Sequence, residues 1–291
     1  MRIDRTVNNY IKKNLSTFEY KVYPIGKSFF NRKIICIEKK PKTSLYFTTL
    51  VVASIHAREW ATSLLTLDLL NNYIGNNKIC LIPLLNIDGV KLCTEGIKSI
   101  PKYYRDYLIN VNNSKDFLMW KANGRGVDLN VNYPYRWGEG INNSKIVSRE
   151  NYIGKCPLSE PENIALTNYI DIIKPDYLVS YHAKGEEIYY GCDNQLNNRD
   201  DYIDFEKITG YKIKTSEGSY GGLKEWFISR YNKPAITIEI GTNEDKYDKL
   251  YLNLDRIFEE NRNILYEIDK KYAKKVHENG YKTSIKSWDF R

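Results

Sequence analysis

The sequence predicts a single α/β domain. Several continuous apolar runs of strand length, of which 46–55 and 235–240 are the clearest, are typical of buried strands in a parallel sheet. Helical segments lie between these runs, so strands and helices alternate along the chain. A length of 291 residues is enough for one large domain with a substantial core, and no linker-like stretch divides the chain.

The individual elements follow from these runs and from local end signals. Strands are predicted at 34–37, 46–55, 79–84, 177–181, 188–190 and 235–240. Helices are predicted after Glu59, from a Ser159-x-x-Glu162 capping box to about 173, at 222–230, and from 245 to about 275. The region 94–153 is rich in Asn, Gly and Tyr, and we expect it to form long loops over a site.

Composition excludes some classes of function. The net charge of +8 arises from 44 basic and 36 acidic residues that are scattered, so nucleic-acid binding is not expected. The excess positive charge would either steer anionic substrates or serve solubility. Five cysteines without metal-type spacing predict reduced, packed thiols. The N-terminus lacks the apolar core of a secretory signal, and no apolar run spans a membrane, so we expect a cytoplasmic protein.

A metal site is indicated by a histidine and a glutamate three residues apart. His56 and Glu59 lie where a predicted strand gives way to a predicted helix, so both can face one Zn²⁺. The alternative is that the positive end of the helix dipole stabilises Glu59, while His56 packs against the sheet. The chain has only 3 histidines, and His182, at the end of a predicted strand, is the candidate third ligand. We expect His277 to be a surface residue.

The wider sequence resembles the M14 zinc metallocarboxypeptidase family. His56-Ala57-Arg58-Glu59-Trp60 is similar to the zinc motif of that family, and further blocks follow in the family's order. These blocks are Ile25-Gly26-Lys27-Ser28, Pro83-Leu84-Leu85-Asn86-Ile87-Asp88-Gly89, Gly126-Val127-Asp128-Leu129-Asn130-Val131-Asn132, Ser159-Glu160-Pro161-Glu162, Tyr181-His182 and Thr237-Ile238-Glu239. The resemblance spans about 23–243. It implies a mixed, largely eight-stranded sheet with helices on both faces and a site at the strand ends.

The resemblance also implies roles for particular residues. His56, Glu59 and His182 would hold one Zn²⁺ per chain and leave a fourth coordination position open. Glu239 would be the general base, which takes a proton from the attacking water and passes it to the leaving amine. Without the resemblance, a lone glutamate after a strand is more often a solvated cap.

Two cations are candidates for stabilising the charge that develops on the carbonyl oxygen. The family places an arginine nine residues before Asn130, and this chain has Lys121 there. Arg125 lies close enough in sequence to substitute for it, and the two remain nearly equal candidates. Arg58 resembles the substrate-binding arginine of the family, and its alternative role is a salt bridge to a nearby carboxylate.

Substrate class is indicated by departures from the family pattern. C-terminus-trimming members carry an arginine that clamps the terminal carboxylate where this chain has Val131, which argues against an ordinary carboxypeptidase. Asn130 would hold a backbone group of the substrate. Lys224 falls at the floor of the specificity pocket and would select a carboxylate, unless it is an exposed helix lysine. Tyr220 would be a mobile lid, or else pack in the core.

These features resemble a bacterial subgroup that cleaves γ-D-glutamyl–diaminopimelate bonds in peptidoglycan. The leading interpretation is therefore a zinc peptidase that hydrolyses this amide bond in muropeptides, with peptidoglycan-derived peptides as its partners. One alternative within the family is a carboxypeptidase with altered C-terminal recognition. An alternative from another class is a catalytically inactive protein that binds wall peptides.

Overall fold

Eight strands form one mixed sheet in the computed structural model, which describes the backbone of residues 2–15 and 18–278 and side chains as far as Lys271. The strands are β1 Tyr20–Lys27, β2 Lys33–Lys39, β3 Thr48–Val52, β4 Lys78–Ile82, β5 Tyr177–Ala183, β6 Glu187–Tyr190, β7 Lys212–Thr215 and β8 Ala235–Ile240. The helices of this described part are α1 Ile3–Asn14, α2 Ala61–Asn72, α3 Ile87–Glu95, α4 Arg105–Asn112, α5 Pro161–Ile173, α6 Ile203–Thr209, α7 Leu223–Tyr231, α8 Leu254–Asn261 and α9 Ile264–Glu278.

The order of the strands places the site. The sheet runs β1-β2-β4-β3-β5-β8-β6-β7, and its four central strands β4, β3, β5 and β8 are parallel. From β3 the chain continues first to β4 on one side and later to β5 on the other. Ligands of open α/β sheets bind in the crevice at the carboxyl ends of the strands where this reversal occurs. The ends of β3, β5 and β8 meet there.

Apolar side chains cover both faces of the central strands. Alternate residues of a strand point to opposite faces, so Val51 and Val179 join one apolar cluster while Leu50 and Leu178 join the other. Every residue of β5 is buried. The predicted α/β class, with helices on both faces of an eight-stranded mixed sheet, is confirmed. Within residues 2–15 and 18–278, every helix is too short or too polar to cross a lipid bilayer.

The two outermost strands were not among the predicted elements. β1 is broken by an irregularity between Pro24 and Gly26, and half of its residues face solvent. β7 has four residues, of which only Ile213 is buried. Edge strands of this kind carry polar side chains that discourage pairing with other chains, so they lack the apolar runs that mark the central strands. The sequence analysis also does not predict α1, α3, α4 and α6.

Two helix predictions are wrong in detail. The segment from 245 to about 275 is a loop, a short 3₁₀ turn and two helices, α8 and α9. The capping box does not form, because Ser159 Oγ donates to Glu160 Oε1 at 2.7 Å while Glu162 Oε1 accepts from Phe29 N at 3.1 Å. α5 begins instead at Pro161, whose missing N–H costs nothing in the first turn. His277 lies beyond the last described side chain.

Candidate active site

Two strand ends bring His56, Glu59 and His182 together. His56 follows β3, Glu59 ends a 3₁₀ turn at Ala57–Glu59, and His182 belongs to β5. The Nδ1 atoms of the two histidines are 3.1 Å apart. The Oε1 atom of Glu59 lies 2.9 Å from Nδ1 of His56, and its Oε2 atom lies 3.2 Å from Nδ1 of His182. All three residues are buried.

This donor set fits zinc. Two imidazole nitrogens and one carboxylate are the ligands of many catalytic zinc sites, and bonds of about 2.0–2.1 Å in a tetrahedron put neighbouring ligand atoms roughly 3.3 Å apart. The Nδ1 atoms are 3.1 Å apart, close to that edge, and each of them lies 2.9–3.2 Å from a different oxygen of Glu59. Nε2 of His182 lies 3.0 Å from Ser180 Oγ, and Nε2 of His56 lies 3.2 Å from Asp128 Oδ1. Such contacts leave Nδ1 of each ring for a metal.

The electrostatics of the cluster favour its charged forms. Burial lowers the pKa of His56, but the carboxylates of Glu59 and Asp128 outweigh burial and raise this pKa above its ordinary value. Burial likewise raises the pKa of Glu59, yet His56 and His182 bring the net pKa well below the usual range. Glu59 is therefore a carboxylate throughout the neutral range, as a metal ligand must be.

Asp128 contacts the candidate metal cluster and was not among the site residues predicted from the sequence. It is fully buried, and its carboxylate accepts hydrogen bonds from the backbone N–H groups of Asn130 (3.0 Å) and Asn151 (3.1 Å). Its Oδ2 atom lies 2.8 Å from Nζ of Lys121, while Oδ1 faces His56. Burial raises its pKa, but Lys121 and His56 together hold the pKa well below the usual range. The signal in the sequence was its position in the Gly126–Asn132 block.

The two candidate cations lie in different environments. Lys121 bonds to Asp128 and to Asn151 Oδ1 (3.2 Å), so it belongs to the network that contacts the ligand histidine. The guanidinium of Arg125 lies 3.7 Å from Glu160 Oε1 and stacks over the Phe29 ring at 5.0 Å. The geometry thus favours Lys121 over Arg125 as the cation near the reacting atoms.

Glu239 lies beside His182 because β5 and β8 are parallel and in register at these two residues. Side chains at paired positions point to the same face of a sheet, so the Glu239 carboxyl shares the face of His182, a candidate metal ligand. Burial raises its pKa to about 7, and Glu59 and Glu187 add to this rise, while His182 and Lys121 oppose it. A carboxyl group with this pKa can both accept and return a proton near neutrality.

Arg58 makes the salt bridge that was its alternative role. Its NH1 atom lies 3.0 Å from Glu150 Oε2, and its guanidinium lies 4.8 Å from the Tyr247 ring centroid. Within the part of the chain that the structure describes, Nε of Arg58 is a buried donor that has no acceptor. Because this Nε is enclosed by the protein, it does not by itself offer a contact to a substrate. Tyr247, on the loop after β8, is a second residue that the sequence analysis missed.

One wall beside the site is built from the segments 130–141 and 218–223, which we call the two-segment wall. Hydrogen bonds join the segments: Leu223 N to Asn130 Oδ1 (3.0 Å), Tyr133 N to Gly221 O (2.9 Å), Gly221 N to Tyr135 O (2.8 Å) and Ile141 N to Gly218 O (3.1 Å). The segments are so close that a Cβ on Gly221 would meet the Val131 carbonyl oxygen at 2.8 Å, and Gly221 has a φ of +83°. Val131 and Tyr220 are therefore neighbours in this wall.

Lys224, the predicted floor of the specificity pocket, is not an exposed helix lysine, since only 2% of it is exposed. Its ammonium group has three N–H donors. The structure provides three acceptors, which are Gly191 O, Ser216 Oγ at 2.9 Å and Glu225 Oε1 at 2.8 Å. Lys224 and Glu225 thus form an internally satisfied ion pair.

The fold and this cluster define a metallopeptidase, and the chain belongs to the zinc carboxypeptidase family, which it matches over residues 12–263. It is 29% identical over 279 residues to "Gamma-D-glutamyl-L-diamino acid endopeptidase 1" of Lysinibacillus sphaericus, which covers 86% of this chain and 69% of that relative.

Solved structures share the fold. The structure of thrombin activatable fibrinolysis inhibitor superposes with a TM-score of 0.73 at 19% identity, covering 94% of this chain and 74% of that one. Murein-tripeptide amidase from Escherichia coli O157 superposes with a TM-score of 0.52 at 19% identity, covering 82% of this chain and 91% of that one.

Proposed function

We propose that the chain is a zinc peptidase that hydrolyses the γ-D-glutamyl–meso-diaminopimelate amide bond of peptidoglycan stem peptides. The observation that carries the proposal is Val131, in a chain that also has His56, Glu59 and His182 as candidate metal ligands and Glu239 as candidate general base. Valine offers neither a charge nor a hydrogen-bond donor to a terminal carboxylate. An enzyme with valine at this position therefore does not require a free C-terminus in its substrate. The Lysinibacillus relative is named a gamma-D-glutamyl-L-diamino acid endopeptidase, which supports the choice of bond.

Zinc held by His56, Glu59 and His182 would act as a Lewis acid toward the scissile carbonyl and the attacking water. Glu239 accepts a proton as the water attacks and returns that proton to the nitrogen of the leaving diaminopimelate. Positioned groups of this type contribute about 10²–10⁴-fold to the rate.

Lys121 supplies a fixed positive charge for the carbonyl oxygen as that oxygen becomes negative. Its bond to Asp128 (2.8 Å) fixes the position of the ammonium. Preorganised charge is effective because nothing has to reorganise when the transition state forms. Lysine lacks the planar fork of the family's arginine, so it offers one point charge rather than a bidentate contact.

Substrate contacts come from groups with donors that remain available. Asn130 Oδ1 accepts from Leu223 N, so its part in binding falls to the Nδ2 donors. Arg58, whose side chain is 14% exposed, contributes its guanidinium to a substrate carbonyl. Val131 provides an apolar contact, and Tyr220 covers the bound peptide from the two-segment wall.

Product identification tests the proposal. Zinc-loaded protein is incubated with tri- and tetrapeptide muropeptides, and the products are identified by mass spectrometry. We expect release of diaminopimelate-containing fragments from both substrates, with similar kcat/KM when the terminus is free, amidated or extended by D-alanine. Release of C-terminal residues from unrelated peptides, with strong dependence on a free terminus, would favour the carboxypeptidase alternative.

The Glu239→Gln variant separates an enzyme from a protein that only binds wall peptides. Glutamine keeps the size of the side chain but cannot accept the proton, so we expect zinc and substrate affinity to persist while turnover falls about 10²-fold or more. A binding protein would show no turnover in the wild type and no difference between the two. Loss of zinc from the variant would contradict the role of general base.

A further inference from the structure

A carboxylate-bearing substrate requires a cation that neither Val131 nor Lys224 supplies. Under the proposed function, the leaving residue carries a distal carboxylate on its side chain. Val131 is uncharged, and the three donors of Lys224 are taken by Gly191 O, Ser216 Oγ and Glu225. Using Lys224 would require breaking a buried ion pair. The distal carboxylate therefore needs a different partner.

Arg136 is a cation on the two-segment wall with an unusual backbone. Its φ is +48°, in the left-handed region that arginine rarely adopts. Its guanidinium carbon lies 3.7 Å from the centroid of the Tyr220 ring, which is close stacking. The side chain is 40% exposed. The cation is therefore both held against an aromatic ring and accessible to a ligand.

The stacking leaves the edge of the guanidinium available. Stacking uses the flat face of the group, whereas its N–H donors lie in the plane and point outward. They now contact Glu139 Oε2, 2.8 Å from Nε, and Asp193 Oδ2, 3.5 Å from NH1. Asp193 Oδ2 also accepts a hydrogen bond from Tyr135 OH. Asp193 therefore keeps a partner if Arg136 turns its NH1 edge toward another carboxylate.

The position of Arg136 ties it to the residues that face the substrate. Tyr220 and Val131 belong to the same wall, in which a Cβ on Gly221 would meet the Val131 carbonyl, and Tyr135 O accepts from Gly221 N. A half-exposed cation such as Arg136 suits a distal carboxylate better than a buried cation such as Lys224. The carboxylate of the substrate can then bind without losing all of its hydration.

We propose that Arg136, stacked on Tyr220, binds the distal carboxylate of diaminopimelate and thereby determines specificity for this residue. The inference rests on the proposed function, since it names the substrate group that the same site recognises. The carboxylate replaces Asp193 at the NH1 edge, and Tyr220 holds the guanidinium plane in place. Lysine-containing stem peptides lack the distal carboxylate and gain nothing from Arg136.

The test compares two substrates and three variants. Wild type, Arg136→Gln and Arg136→Lys are assayed for kcat/KM on γ-D-glutamyl peptides that contain meso-diaminopimelate or L-lysine. Arg230→Gln is the matched control, because Arg230 is also exposed, lies over an aromatic ring (Tyr231, 5.5 Å) and pairs with an aspartate. Both substitutions to glutamine thus remove a guanidinium that lies over an aromatic ring and forms an ion pair. Only Arg136 belongs to the two-segment wall, so the comparison isolates the effect of that position.

We expect Arg136→Gln to lose roughly tenfold to hundredfold in kcat/KM on the diaminopimelate peptide, the scale of a hydrogen bond to a charged group. The lysine peptide should change less than threefold, and Arg136→Lys should fall between because lysine keeps the charge without the planar fork. Arg230→Gln should leave both substrates unaffected. Equal losses on both peptides would show that Arg136 only supports Tyr220, and no loss on either would also overturn the proposal.

Failure of the proposed function is a separate result. If the wild type cleaves neither peptide, the choice of bond is wrong, whereas recognition can still be measured. Calorimetric titration of the zinc-loaded protein with the meso-diaminopimelate peptide then compares wild type with Arg136→Gln. Tighter binding by the wild type supports the role of Arg136, and equal binding contradicts it.

Discussion

The Asp128→Asn substitution tests how the site holds its first ligand histidine. The change replaces one carboxylate oxygen by an amide and removes a negative charge between Lys121 (2.8 Å) and His56 (3.2 Å). Asparagine can still accept the hydrogen bond from Asn130 N. The backbone bond at Asn130 should therefore remain, whereas Asn151 N loses the oxygen that accepts from it and the charge balance of the network changes.

Two effects of different size follow from these contacts. Lys121 becomes a largely buried ammonium without its counter-ion, and breaking a buried pair in this way costs about 3–5 kcal/mol. We expect the lower end of that range because the Lys121 side chain is 16% exposed. In addition, His56 keeps an amide oxygen beside its ring but loses the negative charge there, and weakening such a partner reduces metal affinity about 10–100-fold.

A compensated double variant separates the two effects. The free energy of unfolding is measured by urea titration of the metal-free protein, and zinc affinity is measured by competition with a chromophoric chelator. Lys121→Met/Asp128→Asn removes the unpaired ammonium, so it should recover most of the stability lost by Asp128→Asn. It should not recover zinc affinity. If Asp128→Asn lowers the free energy of unfolding by less than about 1 kcal/mol, Asp128 is not the essential counter-ion of Lys121. If the double variant restores zinc binding, Asp128 does not act on zinc affinity through His56.

Three further substitutions test other parts of the structure. His182→Ala should lose zinc by elemental analysis while His277→Ala retains it; the opposite pattern would exclude the ligand set. Burial raises the pKa of Glu162 to about 8 from an ordinary 4.5, so the unfolded chain loses this proton first as pH rises. Stability should therefore fall between pH 4.5 and 8 by at most about 1.4 kcal/mol per unit, and Glu162→Gln should flatten the profile in urea titrations. Lys224→Met leaves the Glu225 carboxylate buried without its cation, so it should lower the free energy of unfolding by about 3 kcal/mol or more in urea titrations. The preference for diaminopimelate over lysine peptides should stay nearly unchanged. A selective loss of activity on diaminopimelate peptides would instead show that Lys224 binds the distal carboxylate.

The central part of the fold could be predicted because its signals are local. A strand such as β5 is buried on both faces, so its apolar run is visible in the sequence without knowledge of its neighbours. The edge strands β1 and β7 are defined by pairing with one neighbour, and their half-exposed side chains carry no such run. The candidate ligands were predictable for a similar reason, since His56 and Glu59 are three residues apart at a strand end.

The rest of the site depends on contacts between distant residues. Asp128 meets His56 across 72 positions of the chain, and no local pattern marks an aspartate as the partner of a histidine. The burial of Lys224 likewise depends on Gly191, 33 residues earlier. Arg125 and Lys121 are four residues apart, yet the turn between them sends one to Phe29 and the other to Asp128. Only the assembled structure distinguishes them.

The two-segment wall has a consequence for how such a chain diversifies. Backbone atoms of Tyr133, Tyr135 and Gly221 hold its segments together, so the side chains along it are free to change without loss of the wall. Asn130, whose side chain binds Leu223 N, and Gly221, which has no room for a Cβ, are the exceptions. Substrate preference can then drift by single replacements at the free positions. We expect descendants of this architecture to differ in the peptides they cut while keeping these two residues.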